Sequence, residues 1–119
     1  MNVTLPYPPS INHYWRRVGN KTLISRQGRQ YKHDAALSAR AAGLTPLTGP
    51  VTVTLTVYRP RRSGDLDNVQ KPLLDALNGI AWNDDSQVVE LHAYRKEDKL
   101  RPRAEVAIEA ALGETANGQ

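Results

Sequence analysis

No cysteine occurs in the 119 residues, so a disulfide framework and a thiolate metal site are both excluded. Nor does any apolar run approach the roughly 20 residues that a membrane span needs. The opening Met1 to Pro6 lacks the charged and apolar regions of a signal peptide. With those classes set aside, the expectation is a cytoplasmic protein with no membrane partner. Acidic residues are scarce in the first half: residues 1–64 hold ten Lys/Arg and one acid, Asp34, whereas residues 65–119 hold six Lys/Arg and eleven acids. The basic half points to a polyanionic partner or to ordinary surface charge, and charge asymmetry alone does not choose between them.

What is present fits one domain over residues 1–112, long enough for a core, with a small, polar tail at 113–119. No internal repeat or linker divides it. Residues 2–5 read as a short strand stopped by Pro6. The path from Pro6 to Trp15 holds three prolines, which deny regular hydrogen bonding. Tyr7, Tyr14 and Trp15 lie in it, followed by Arg16, Arg17 and Lys21. Aromatics beside cations either stack on bases and grip phosphates or pin the loop to the core. Ser25 caps a helix expected to run to about Ala42, with Gly43 as its left-handed stop and Leu44 over its end.

Val51 to Tyr58 alternates strictly between Val/Leu and Thr, the pattern of a strand with one face buried and one polar. Asp67-x-x-Gln70 has the form of a capping box, and Leu73, Leu74 and Leu77 give a helical stripe that stops at Asn78-Gly79; Pro72 interrupts it in the second turn. Val88–Tyr94 and Ala104–Ala111 read as two further strands, expected to pair as an antiparallel hairpin across a short charged connection. The fold class expected is therefore α+β: one domain, a mixed sheet of about four strands, and two main helices packed on one face.

The chemistry centres on residues 59–87. Arg59, Arg61 and Arg62 lead into Asp65 and Asp67; Lys71 follows one helical turn later; Asp84 and Asp85 form a second acidic pair. Crowded carboxylates repel one another, and a divalent cation is the usual reason to keep them. Nearby arginines suit a phosphate as the metal's other partner. The order strand, acids, helix, acids, strand suggests that both pairs lie near one end of the sheet. Lys71 serves either as a surface partner of Asp67 or Asp75 or as a positive charge on the scissile phosphate. A calcium-binding loop is excluded, because Val69 and Gln70 stand where that loop needs an oxygen ligand and a glycine.

These residues resemble the RusA-type Holliday junction resolvases of bacteria and their prophages. The opening Leu5 to Asn12, Leu-Pro-x-Pro-Pro-Ser-x-Asn, is similar to that family's N-terminal motif. Asp65-Leu-Asp67-Asn68-x-x-Lys71-x-x-x-Asp75-Ala-Leu, then Asp84-Asp85-x-Gln87-Val88, is similar to its catalytic motif. The resemblance implies Asp65, Asp67 and Asp85 as metal ligands, Asp84 as an accessory one, and Lys71 as the catalytic lysine. It implies Mg²⁺, with Mn²⁺ as a substitute, a homodimer, and a nucleoid-associated protein encoded by a bacterium or phage. The function expected is paired symmetric nicking of four-way DNA junctions in recombination and repair, with Arg16, Arg17, Arg59, Arg61, Arg62 and Lys71 on the DNA. Two alternatives stand beside it: a non-catalytic DNA-binding or phage architectural protein, and a nuclease preferring other branched substrates.

Overall fold

The structure, a computed structural model, describes residues 1–61 and 66–111, with the Asp67 side chain excepted. Arg62, Asp65 and the tail 113–119 therefore lie outside the described residues. The elements, in order, are β1 (Asn2–Pro6), α1 (Ile11–Tyr14), β2 (Trp15–Val18), β3 (Lys21–Ile24), α2 (Arg26–Ala41), β4 (Val51–Arg59), α3 (Asp67–Leu77), a 3-10 turn (Asp85–Gln87), β5 (Val88–Glu97) and β6 (Arg103–Ala110). Among the described residues no helix is long and apolar enough to cross a membrane.

The strictly alternating segment becomes β4 and takes the centre of a mixed four-stranded sheet, in the order β1-β6-β4-β5. Val51, Val53, Leu55 and Val57 are fully buried, while the threonines between them stay half-exposed. The apolar face joins a single core with Tyr31, Ala35 and Ala39 of α2 and Leu73, Ala76 and Leu77 of α3. One face is thus covered, as the alternation implies. The α2 ends also follow the sequence. Ser25 Oγ accepts from Gly28 N at 2.9 Å, Gly43 has φ +78°, and Leu44 is buried behind it.

Two expectations about connections fail. The strands β5 and β6 do not form a hairpin: β4 lies between them, parallel to β5 and antiparallel to β6. Residues 98–102 arch over the end of β4, where Asp98 N donates to Arg59 O at 2.8 Å. Asp98 Oδ1 accepts from the amides of Leu100 and Arg101, and the Arg103 guanidinium returns to Asp98 Oδ2 at 2.8 Å. Spanning two strand spacings needs only about 10 Å, well within five residues, so a short loop permits either arrangement. The central place goes to β4 because burying its whole apolar row takes a neighbour on each edge; β5, with Val89, Leu91 and Tyr94 exposed, tolerates an edge. The second failure concerns the Asp67 cap. Leu66 occupies the cap position and Asp67 is the first helical residue. Pro72 stays inside α3; the bond it cannot donate would have gone to the carbonyl of Asn68, an exposed residue of the first turn.

A third feature was not expected. The segment after the prolines is not an irregular loop but a one-turn helix, α1, followed by a two-stranded hairpin, β2–β3, with Trp15 opposite Ile24 at its base and Gly19 at φ +61° in its turn.

Candidate active site

Lys71 stands exposed on α3. Among the described residues it forms no ion pair; its Nζ lies 5.4 Å from the centroid of the Trp15 ring. The carboxylate one turn further on, Asp75, is engaged elsewhere. Its Oδ2 accepts from the hydroxyl of Tyr14 at 2.6 Å. Tyr14 is fully buried, and its ring meets Trp15 edge-on, 4.4 Å between centroids at 68°. Burial first, and then the hydrogen bond to Asp75, pushes the Tyr14 hydroxyl far above the ordinary tyrosine range, so it stays a donor.

The base of the β2–β3 hairpin is fastened just as closely. Ser25 N donates to Tyr14 O at 2.9 Å, and the Ser25 hydroxyl donates toward the carbonyls of His13 and Tyr14. Gly28 lets α2 lie against that carbonyl, since a Cβ there would come within 2.3 Å of Tyr14 O. Beyond this anchored base the hairpin is exposed and carries Arg16, Arg17 and Lys21 with no acid among them. Arg61 is also exposed, while Arg62 and Asp65 lie outside the described residues. Arg59, expected on the DNA surface, is 5% exposed at the end of β4, under the 98–102 arch. Its side chain is therefore packed within the fold rather than displayed on the surface.

The second acidic pair is held by a different device. Asp84, with Gln87, forms the capping box of the 3-10 turn. Asp84 Oδ2 accepts from Ser86 N at 3.0 Å, which holds its carboxyl below the ordinary range. Gln87 spends its whole amide on backbone: Nε2 donates to Leu47 O and Gly49 O, and Oε1 accepts from Asn83 N and Asp84 N. Asp85 is exposed, with Oδ1 accepting from the buried Trp82 indole at 2.8 Å. The pattern Asp-x-x-Gln thus makes a capping box at 84–87. Sequence reading did not assign this clamp, although the same signal was visible there.

These anchors place Asp84 and Asp85 beside the start of β4, past the C-terminal end of α3, whereas Asp67 begins α3. From Asp67 to Leu77 the helix runs eleven residues, about 15 Å along the axis. The helix start at Asp67 and the second acidic pair thus lie toward opposite ends of α3; where the Asp65 and Asp67 carboxylates stand relative to that pair lies outside the described residues, among which no group of three potential ligands forms a metal site. The reason is the β4–α3–β5 crossover, which returns the chain to the opposite end of the sheet before β5 begins parallel to β4.

Residues 6–109 match the family model described as Endodeoxyribonuclease RusA. The chain belongs to the RusA endodeoxyribonuclease family. It is 36% identical over 110 residues to the crossover junction endodeoxyribonuclease RusA of Escherichia coli strain K12, covering 90% of this chain and 92% of that protein. The same identity and coverage relate it to the crossover junction endodeoxyribonuclease of Enterobacteria phage 82. A nuclease of the RusA family is expected to need a divalent metal. The exposed carboxylates of Asp84 and Asp85 fit one, since they are hard oxygen ligands. Asp65 and the Asp67 side chain lie outside the described residues.

Proposed function

We propose that the chain is a Mg²⁺-dependent endonuclease that resolves four-way DNA junctions by paired nicks, working as a homodimer. The observation that carries this reading is the RusA match across residues 6–109, a span that contains Asp65, Asp67, Lys71, Asp84 and Asp85. Asp65, Asp67 and Asp85 are the proposed ligands, with Asp84 as an accessory one. Mn²⁺ is the proposed substitute. The bound ion would supply Lewis-acid polarisation of the phosphodiester. The separation of Asp67 from Asp85 along α3 favours a two-fold assembly, in which a second copy brings the 84–85 end to the 65–67 end. Such a dimer also presents two identical sites to a substrate of near two-fold symmetry.

In this reading Lys71 places a positive charge beside the phosphate, where negative charge builds during the reaction. Arg16, Arg17, Lys21 and Arg61 grip the backbone and position it without reading sequence. Trp82 and Gln87 keep Asp85 and Asp84 in place. The proposed setting is the DNA-containing cytoplasm, in line with enterobacterial and phage relatives.

The test separates cutting from binding. Asp65→Asn, Asp67→Asn and Asp85→Asn should each abolish cleavage of a synthetic junction in Mg²⁺. Each also deletes a negative charge near the DNA, worth roughly 1–4 kcal/mol at about 4 Å. Gel shifts in EDTA should therefore show binding at least as tight as wild type. A non-catalytic binding protein predicts no cleavage by the wild type, and a flap or duplex nuclease predicts faster cutting of those substrates than of junctions.

A further inference from the structure

We infer that Trp15 is the positioning residue for Lys71: its indole face holds the lysine ammonium in its working orientation without neutralising it. The inference rests on the reading of Lys71 as the catalytic lysine. A lysine on an exposed helix face has a flexible four-carbon stem and many rotamers. The ordinary way to restrain it is a carboxylate one turn away; Asp75 is at that spacing on one side, and on the other is Asp67, whose side chain lies outside the described residues. An ion pair there would cancel the charge that a phosphate needs. The structure avoids this by giving Asp75 to the Tyr14 hydroxyl at 2.6 Å and placing Nζ 5.4 Å from the Trp15 centroid, within the range where a ring face attracts a cation. A ring restrains the ammonium but leaves its full charge available.

The adjacent residues Tyr14 and Trp15 thus take positions i+4 and i on α3, one by hydrogen bond and one by ring contact. Their own placement is rigid. The two rings pack edge-to-face, and the Tyr14 carbonyl receives the Ser25 amide while Gly28 closes on it. The chain of contact runs from the α2 N-terminus through Ser25, Tyr14 and Trp15 to Lys71. It also ties the basic β2–β3 hairpin to the lysine, so a duplex gripped by Arg16 and Arg17 has a fixed relation to Nζ.

The test uses the full chain, Trp15→Leu, Trp15→Phe and Lys71→Met, with a synthetic four-way junction. Trp15→Leu should slow single-turnover cleavage in Mg²⁺ roughly five-fold while changing the dissociation constant in EDTA less than two-fold, and Trp15→Phe should recover most of the rate. NMR of the wild type should show the Lys71 ε-methylene protons shifted upfield by the indole, with the shift lost in Trp15→Leu and partly kept in Trp15→Phe. Equal losses of rate and binding would make Trp15 a DNA contact and overturn the inference. So would a wild-type Lys71 methylene at the free-lysine position, a result that does not depend on how any variant folds. If Lys71→Met is inactive while Trp15→Leu cuts at full rate, the positioning role alone fails; if Lys71→Met cuts normally, the catalytic reading of Lys71 fails first.

Discussion

Replacing Gly28 by alanine sets two effects of opposite sign against each other. In an open helical site the change stabilises by up to about 1 kcal/mol, because glycine is the poorer helix former. At Gly28 the added Cβ would lie 2.3 Å from Tyr14 O, 2.9 Å from Ile24 Cγ1 and 3.2 Å from Tyr14 C. Ile24 has a side chain that can turn away. The Tyr14 carbonyl is backbone, and it is fixed by the Ser25 amide at 2.9 Å. Relief therefore requires the base of the hairpin to move off α2, and overpacking of that kind costs about 1–3 kcal/mol. The clash wins, for a net loss of about 1–2 kcal/mol. For a domain of this size that lowers the melting temperature by roughly 4–8 °C. Urea titration at constant slope, with the exposed Gln27→Ala as the helix-propensity control, measures it. A Gly28→Ala protein as stable as wild type would refute the close approach, and with it the anchored hairpin base.

Gln87→Glu should cost about 2 kcal/mol or more in urea unfolding, because it replaces a donor facing the Leu47 and Gly49 carbonyls with an acceptor; an unchanged midpoint would contradict the clamp on the 84–85 pair. Burial raises the pKa of both Tyr14 and Tyr31 in the folded chain, so stability is fully present below the unfolded tyrosine range near about 10 and declines as pH rises above it. Midpoints measured from pH 8 to 12 should fall, and Tyr14→Phe should fall less steeply over the same span. Arg16→Ala with Arg17→Ala should weaken binding to junction and duplex alike and reduce the slope of log K against log salt by about 1.8, from two lost phosphate contacts; an unchanged slope would move the DNA surface away from the hairpin. Sedimentation at micromolar concentration should give about twice the 13.2 kDa chain mass; a strict monomer that still makes paired cuts would sink the two-fold model.

Much of the architecture is carried by local pattern. The Val/Thr alternation of β4, the Ser25 cap and the Gly43 stop are legible because each depends on residues within a few positions of one another. The family is legible because its motif residues stand close together in the sequence, from Asp65 to Val88. The sequence alone could not say which strand fills the centre of the sheet. A charged five-residue connection joins β5 to β6 equally well as a hairpin or as an arch over β4, and only the demand to bury both sides of the most apolar strand decides. Nor could it say that Arg59 turns inward, that Asp75 goes to Tyr14, or that Lys71 rests on Trp15, because those partners are 61 and 56 positions apart for the last two. Asp84 and Asp85 end past the C-terminus of α3, away from the helix start at Asp67, for the same reason. Spacing along the chain fixes what a helix or strand presents, whereas the parallel crossover, a long-range pairing, fixes where it is presented.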